Sequence, residues 1–334
     1  MNNILVSIIV PVHNAGELLK RCLDSLINQT LREIEIILIL DCPTDGSDLI
    51  AKEYAQQDSR IKIIQNQTNL HIGNSRNEGL KIAQGKYIGF NDHDDYADPQ
   101  MYELLYRKAE DEQLDLVCSP YVIVKGDEIT CMNDFPEELQ AEEFAQAAYA
   151  CSIGADADED YNVLNKALIW KNLYRLDIIK RHQITFVDTN YISAEDICFM
   201  VDYTRCIQRA GFIASPLYYH DVGINSNTGK TYSYLQIEKR SALLEYVQNH
   251  LHREGVFDKY KTRWQGTVRN ILYYSLLIEY RSIGVFSVVK KILKIRKNKE
   301  LKRAFRDGNT LSPPYQAGLK SKIAFDIVRF LIAI

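Results

Sequence analysis

The sequence lacks the features that mark several common classes of protein. Its seven cysteines form no CxxC pair, and such a scattered set is typical of buried free thiols in a reducing compartment. No apolar run approaches the roughly 18 residues that a membrane-spanning helix requires. The apolar segment 4–12 has no basic region before it and contains Pro11, so it predicts a strand and not a signal peptide. We therefore expect a cytoplasmic chain.

Glycine-rich phosphate loops and hydrolase elbows are also missing. Residues 13–16 read His-Asn-Ala-Gly after the first predicted strand, where a dinucleotide dehydrogenase has GxGxxG. Segments 79–86 and 223–231 each contain one residue too many for a Walker loop. The absence of a Gx-Ser-xG motif argues against a serine hydrolase.

Charge is unevenly distributed along the 334 residues. The formal net charge is −4, yet residues 281–334 contain 13 Lys and Arg against three Asp and Glu. An acidic body argues against nucleic acid as a partner. The basic, apolar segment 281–334 predicts peripheral contact with an anionic membrane surface. The alternative is a helical subdomain that packs on the rest of the chain or on the second subunit of a homodimer.

Apolar runs and helical periodicity alternate through the first ninety residues. Strands are predicted at 5–12, 34–40, 61–64 and 87–90, and helices from residue 18 and at 47–57 and 74–83. This alternation predicts an α/β fold with a mostly parallel sheet flanked by helices. Further helices are predicted at 99–113, at 162–180 with a turn inside, and at 193–210. Further strands are predicted at 116–124 and 212–220, and the chain is predicted to be mostly helical after residue 234.

An aspartate cluster directly follows the predicted strand 87–90. Asp92, Asp94 and Asp95 repel one another, which costs free energy unless a cation lies among them. The carboxyl ends of strands in open α/β sheets are also where ligands bind. Because Mg²⁺ and Mn²⁺ prefer carboxylate oxygens together with substrate phosphates, the cluster predicts a cation that binds a phosphorylated substrate. A solvated turn is the alternative; an EF-hand is excluded because Ala97 stands where its glycine is required.

Several blocks, taken in order, resemble the family 2 glycosyltransferases of the GT-A fold. They are residues 6–14, 22–30, 34–41, 75–80 and 85–90, with weaker landmarks at 172–175, 195–196 and 218–220. The resemblance covers about residues 4 to 220. It implies a GT-A catalytic domain over 1–225, followed by a helical, basic C-terminal region over 226–334. Within that domain, the nucleotide-binding half would span about 1–97 and the acceptor half about 98–225.

The resemblance also implies an activity. One sugar would move, with inversion, from a nucleotide-diphosphate sugar, most commonly a UDP-sugar, to a hydroxyl of a glycan or lipid-linked glycan. Mn²⁺ or Mg²⁺ would act as the Lewis acid for the departing nucleoside diphosphate. Such a reaction serves bacterial surface polysaccharide or glycolipid synthesis. The alternatives are a catalytically inactive nucleotide-sugar binding protein and a membrane-associated scaffold.

By the same resemblance, individual residues receive roles in donor binding. The nucleotide pocket would be lined by Pro11, His13, Asn14 and Asp41, with Arg76 on the base or diphosphate. Asp92 would contact the ribose and metal region, Asp94 would ligate the metal directly, and Asp95 would be a supporting carboxylate. His220 would complete the metal shell; a histidine hydrogen-bonded near the site is the alternative.

Inversion requires a general base on the face opposite the leaving group. The resemblance assigns this role to Asp196, with Glu195 orienting the acceptor or the base. The alternative is a helix N-terminus enriched in acidic residues to complement the helix dipole.

The sequence departs from the family pattern around the base pocket. Cys42 and Pro43 replace the usual Gly and Ser, and His13 replaces the usual Tyr, so the identity of the nucleotide stays open. The Gln-x-x-Arg-Trp pattern of processive synthases is not met, because Tyr260 stands where its glutamine belongs. This departure favours addition of a single sugar.

Overall fold

The computed structural model describes residues 4–133, 139–154, 168–223, 237–283, 292–293, 297–299 and 301–303. The chain divides into two compact units. The first comprises Met1–Ala148, Leu168–Thr189 and Asp202–Lys230, and the second comprises Tyr149–Ala167, Asn190–Val201 and Thr231–Ile334.

The first unit contains a larger and a smaller sheet. The strands of the larger sheet are β1 (Val6–Val12), β2 (Ile34–Leu40), β3 (Ile61–Gln65), β4 (Tyr87–Phe90), β6 (Leu116–Cys118), β9 (Asn172–Arg175) and β10 (Ala210–Phe212). The strands of the smaller sheet are β5 (Tyr96–Ala97), β7 (Tyr121–Lys125), β8 (Glu128–Met132) and β11 (Tyr218–Asp221).

Helices connect these strands and continue after them. They are α1 (Leu18–Ile27), α2 (Ser47–Gln57), α3 (His71–Ile82), α4 (Met101–Asp111), α5 (Ala141–Ile153), α6 (Leu176–Arg181), α7 (Glu195–Cys206), α8 (Ile237–Arg253) and α9 (Phe257–Ile283).

The larger sheet has the strand order β10-β6-β9-β4-β1-β2-β3. Strand β1 pairs in parallel with both β2 and β4, and β2 pairs in parallel with β3. Every residue of β1 and β2 is buried, as expected for Val- and Ile-rich strands covered on both faces. Strand β9 is the exception, since it runs antiparallel between β4 and β6. The predicted fold class, a mostly parallel sheet flanked by helices, is confirmed.

The parallel arrangement brings three carboxyl ends to one edge of the larger sheet. Strands β1, β2 and β4 end at Val12, Leu40 and Phe90, so His13, Asp41 and the aspartate cluster all follow at that edge. This is the edge at which open α/β sheets bind ligands.

Two strand predictions were wrong in the same way. Segment 116–124 forms two strands, β6 and β7, that belong to different sheets and are separated by Ser119 and Pro120. Segment 212–220 likewise divides between β10 and β11, and Pro216 lies between them. Proline has no N–H to donate to a ladder, so each chain segment leaves one sheet and enters the other at this point.

The predicted helix 162–180 was also wrong in its described part. Residues 172–175 form β9, and only 176–181 are helical; residues 162–167 lie outside the described residues. Leu173 and Tyr174 are fully buried between β4 and β6, so pairing with neighbouring strands overrides the local helical pattern.

The second unit contains helices α8 and α9. The indole N–H of Trp264 donates to the carbonyl of Leu244 at 3.1 Å and ties the two helices together. Within the described ranges, no helix is both long enough and apolar enough to cross a bilayer. Most of the basic segment 281–334, and with it the predicted membrane contact, lies outside the described residues.

Candidate functional site

The segment 91–95, called here the aspartate loop, leaves β4 at the ligand-binding edge of the sheet. Its first residue continues the strand pairing, because the N–H of Asn91 donates to the carbonyl of Ile9 at 3.0 Å. The loop then closes a tight turn in which the N–H of Asp95 donates to the carbonyl of Asp92 at 3.2 Å. The three carboxylates are therefore held on a short turn anchored to the centre of the sheet.

Asp92 is paired with Arg76 of α3. Nη2 of Arg76 donates to Oδ1 of Asp92 at 2.9 Å, and the arginine side chain is 3% exposed. The guanidinium also lies 5.3 Å from the centre of the Phe186 ring. A buried arginine with a planar fork suits the binding of carboxylate or phosphate oxygens. The structure thus brings together two residues that sequence reasoning placed in donor binding.

Asp95 is fully buried and connects the aspartate loop to β11. Its carboxylate accepts hydrogen bonds from the Tyr218 hydroxyl at 3.0 Å, from Nδ1 of His220 at 3.0 Å and from the N–H of Asp221 at 2.9 Å. Burial raises the pKa of Asp95 to about 6, while the hydrogen bond from His220 acts in the opposite direction. With three donors on its oxygens, Asp95 has the geometry of an anchor for the loop.

His220 lies on β11 with one ring nitrogen committed to Asp95. Its ring stacks on Trp170 with centroids 5.3 Å apart. Burial lowers the pKa of the imidazole, but the Asp95 carboxylate more than offsets this, so the pKa is raised above its ordinary value. Donation from Nδ1 leaves Nε2 as the nitrogen that can bind a cation. A histidine that ligates a metal commonly donates its other N–H to a carboxylate in this way.

The donor chemistry around Asp94 suits a hard divalent cation. Asp94 is 7% exposed, and Asp92 lies two positions before it on the same turn. Carboxylate oxygens are the ligands that Mg²⁺ and Mn²⁺ prefer, and one or two of them suffice when substrate phosphates complete the shell. Across the described part of the chain, no group of three or more His, Cys, Asp and Glu is arranged to hold an ion. Asp92 and Asp94 therefore have the right chemistry to supply some of the ligands of such a cation, and substrate phosphates would supply the others.

The residues predicted to line the nucleotide pocket meet where β1 and β2 end. The ring of His13 donates from Nδ1 to the carbonyl of Asp41 at 2.6 Å and accepts from Nδ2 of Asn14 at 3.4 Å. Asn14 also accepts a hydrogen bond from the N–H of Thr44 at 2.8 Å. Asn14 and Cys42 have φ angles of 52° and 51°, which non-glycine residues rarely adopt. These contacts join the two strand ends into one wall.

Asp41 and Pro11 extend that wall. Asp41 is 3% exposed, and its Oδ1 accepts hydrogen bonds from the Asn66 side chain at 2.8 Å and from the N–H of Leu70 at 2.7 Å. The carbonyl of Pro11 accepts a hydrogen bond from Nδ1 of His93 at 2.9 Å. Because His93 stands between Asp92 and Asp94, this contact joins the wall to the aspartate loop.

Two residues that sequence reasoning did not assign to the site also contact the loop. The hydroxyl of Tyr218 accepts a hydrogen bond from the N–H of Asp92 at 3.1 Å, and Nη2 of Arg21 donates to the carbonyl of Asp94 at 2.9 Å. Tyr218 lies in segment 218–220, which resembles the family, so the sequence did contain an indication of this residue. Arg21 is one polar position on the amphipathic helix α1, and nothing local distinguishes it.

Glu195 and Asp196 belong to the second unit, whereas the other predicted site residues belong to the first. Both lie half-buried in the first turn of α7. Oδ1 of Asp196 accepts a hydrogen bond from the N–H of Ile197 at 2.9 Å. The preceding residue, Ala194, has a φ of 60°, a conformation that costs free energy in alanine and is concentrated at functional sites. The start of α7 therefore combines two carboxylates with a strained backbone.

Comparison with known proteins gives concordant results. The family model described as glycosyl transferase family 2 matches residues 7–167. The uncharacterized glycosyltransferase EpsJ of Bacillus subtilis strain 168 is 34% identical over 253 residues, which covers 76% of this chain and 69% of EpsJ.

Two solved structures share the fold. Staphylococcus aureus TarS 1-349 in complex with UDP-GlcNAc has a TM-score of 0.66 at 18% identity and covers 98% of this chain and 90% of that one. The mannosyltransferase PcManGT of Pyrobaculum calidifontis in complex with GDP-Man and Mn²⁺ has a TM-score of 0.50 at 13% identity, with 98% and 85% covered. At these identities the likeness shows the GT-A fold alone, and the extended match to EpsJ shows the family. The chain belongs to glycosyltransferase family 2.

Proposed function

We propose that the protein transfers one sugar from a nucleotide-diphosphate sugar to a hydroxyl of a glycan or lipid-linked glycan, with inversion at the anomeric carbon. The observation that carries this proposal is the aspartate loop, which lies at the ligand-binding edge of a GT-A sheet beside Arg76 and His220. Two relatives support a place in the synthesis of a surface polysaccharide or glycolipid. They are the poly(ribitol-phosphate) beta-glucosyltransferase of Bacillus spizizenii, 27% identical over 222 residues, and the cholesterol galactosyltransferase of Borreliella burgdorferi, 28% identical over 288 residues.

A UDP-sugar is the donor that we propose first. TarS, which shares the fold, has been solved with UDP-GlcNAc. In this chain the base would lie against the wall formed by Pro11, His13, Asn14 and Asp41, with Arg76 near the diphosphate. Because His13 and Cys42 alter this wall, the choice between uracil and other bases is an experimental question.

The cation, Mg²⁺ or Mn²⁺, would be held by Asp94 and Asp92, with His220 as a further ligand. When bound it would neutralise charge that develops on the departing diphosphate. Arg76 holds Asp92 in place and adds a second positive charge beside the loop. Asp95 keeps His220 oriented through the hydrogen bond to Nδ1.

Asp196 is our proposed general base. It would take the proton from the acceptor hydroxyl as the acceptor oxygen bonds to the anomeric carbon and the bond from that carbon to the diphosphate breaks. Glu195 would orient the acceptor or the base. Changing Asp196 to Asn removes the proton acceptor while nearly preserving shape, so we expect turnover to fall by roughly 10²–10⁴-fold with donor affinity kept. Turnover near that of the wild type would rule out Asp196 as the base.

Donor class and metal dependence can be tested together. We would measure thermal shifts with UDP, GDP, dTDP and CMP, each with Mn²⁺ and with chelator. A metal-dependent rise for one nucleotide is expected, and at a hundredfold excess over Kd the stabilisation should reach about 2.7 kcal/mol. Asp94→Asn should remove the metal-dependent part, whereas Asp127→Asn, an exposed change in the β7–β8 turn, should not. No shift with any nucleotide would favour an inactive protein or a scaffold.

We further propose that segment 281–334 holds the protein at an anionic membrane. Its 13 basic residues support this placement, which would bring the enzyme to a lipid-linked acceptor. Flotation with anionic and neutral vesicles, for the full chain and for a deletion of 319–334, tests it. Equal flotation of both chains would exclude a role of residues 319–334 in membrane binding. If the segment serves only to contact a second subunit, the deletion would instead abolish the dimer.

A further inference from the structure

We propose that Arg21 is a positioning residue that holds Asp94 in the geometry needed to bind the cation. This inference rests on the proposed function, because it assigns Arg21 a task only if Asp94 ligates a metal. Arg21 lies on α1, and neither its sequence context nor the comparisons give it a role.

The guanidinium of Arg21 makes three contacts with different parts of the first unit. Nη2 donates to the carbonyl of Asp94 at 2.9 Å and contacts Oδ2 of Asp221 at 2.6 Å. The guanidinium carbon lies 4.6 Å from the centre of the Tyr96 ring. Tyr96 in turn stacks on Tyr219 with an interplanar angle of 3° and centroids 4.7 Å apart. Arg21 therefore joins α1 to the aspartate loop, to β5 and to β11.

The other carboxylates of the loop are anchored in an analogous way. Asp92 is held through Arg76, and Asp95 through Tyr218 and His220. Arg21 holds Asp94, which lies between them, but through its backbone carbonyl and not through its carboxylate. This hydrogen bond fixes the main chain of the loop at the residue from which the Asp94 carboxylate projects.

The position of the Arg21 side chain also has a cost in free energy. Its Nε is buried and has no hydrogen-bond partner within the described part of the chain. An unpaired buried donor costs roughly 1–3 kcal/mol. The side chain as a whole is 39% exposed, so an arginine that served only as a surface ion pair could avoid this cost by turning toward solvent. The observed position of Arg21 therefore indicates that the contacts of Nη2 and of the guanidinium face offset the cost of the unpaired Nε.

Lysine could not reproduce this arrangement. A lysine at position 21 would keep a positive charge near Asp221 but would lose the planar group that stacks on Tyr96 and bonds Asp94 in a fixed direction. Arg21→Lys is therefore the informative variant, since it keeps the positive charge that pairs with Asp221 while loosening Asp94. Changes of groups that orient a metal ligand typically cost 10–100-fold in metal affinity or activity.

The experiment measures free Mn²⁺ by electron paramagnetic resonance during titration of the full chain with saturating UDP. Arg21→Lys and Arg21→Ala should raise the apparent Kd for Mn²⁺ by about 10–100-fold. Once Mn²⁺ is saturating, the UDP affinity measured by thermal shift should return to within about twofold of the wild type. Lys20→Ala is the matched control, because Lys20 pairs with Glu17 on the exposed side of the same helix.

The possible outcomes separate the two proposals. If the wild type shows no metal-dependent UDP binding, the proposed function fails. If the wild type binds and both Arg21 variants bind Mn²⁺ as tightly as Lys20→Ala, the role of Arg21 is refuted. The role would also be refuted if Mn²⁺ binding and UDP binding fell equally and in proportion to the loss of folded protein. That result would show that Arg21 has only a structural role. Should Arg21→Ala fail to fold, Arg21→Lys alone decides the question.

Discussion

Replacing Tyr218 with phenylalanine tests whether the aspartate loop is held by contacts from the smaller sheet. The change removes one oxygen atom and keeps the ring, which stacks on Trp170 with centroids 4.4 Å apart. That oxygen is fully buried, donates to the Asp95 carboxylate at 3.0 Å and accepts from the N–H of Asp92 at 3.1 Å. The variant therefore removes both links between Tyr218 and the loop without changing the packing.

The expected loss of stability follows from these two bonds. A hydrogen bond to a charged carboxylate contributes roughly 1.5–3 kcal/mol, and leaving the partly buried N–H of Asp92 without this partner costs up to roughly 1–3 kcal/mol. Asp95 keeps its hydrogen bonds from His220 and from the N–H of Asp221, which limits the total. We expect the free energy of unfolding to fall by about 3 kcal/mol. Donor binding should weaken as well, because Asp92 and Asp94 lie on the same turn.

Equilibrium unfolding in urea without ligand provides the measurement. Tyr219→Phe is the matched control, since this neighbouring tyrosine stacks on Tyr96 through its ring and that stack survives the change. We expect the control to lie within about 0.5 kcal/mol of the wild type, as is usual for changes away from such contacts. A loss for Tyr218→Phe no larger than that of the control would refute the assignment of Tyr218 as an anchor of the loop.

Two further changes test the ion pairing and the packing of the larger sheet. Hydrogen bonds from Lys62, Ser7 and the N–H of Gln84 lower the pKa of Glu35 below its ordinary 4.5, although burial acts to raise it. The stabilisation from the Glu35 carboxylate is therefore present above pH 4.5 and is lost as the pH falls through the lower pKa of the folded state. In urea unfolding, the difference in stability between the wild type and Glu35→Gln should shrink toward pH 3. Gly89→Ala would place a Cβ 2.5 Å from Cε1 of the buried Tyr102 ring. We expect a loss of about 1–3 kcal/mol and weaker nucleotide binding, and unchanged thermal stability would contradict this packing argument.

Much of the fold could be predicted because its signals are local. The apolar runs 34–40 and 87–90 are strands with the predicted bounds, and 47–57 is a helix as predicted. A continuous apolar run between turn-forming residues has few other solutions in a parallel sheet. The alternation of strands and helices then specifies the crossovers.

The assignment of strands to sheets could not be read in the same way. Segments 116–124 and 212–220 look continuous, yet each divides between the two sheets near Pro120 and Pro216. Strand β9 looks helical by its spacing but pairs antiparallel with β4 and β6. Which sheet a strand joins depends on the partner strands available in three dimensions, and the strand's own residues do not encode that choice.

The candidate site shows the same division. By itself the sequence determined that three carboxylates follow β4 at the edge where ligands bind, because a strand and the turn after it are local features. Only the tertiary structure decided which residues contact each aspartate of the loop. Tyr218 and His220 lie 123 and 125 positions from Asp95, and Arg21 lies 73 positions from Asp94. Contacts at such separations exist only after the sheets have assembled, so the anchors of the loop are a property of the fold.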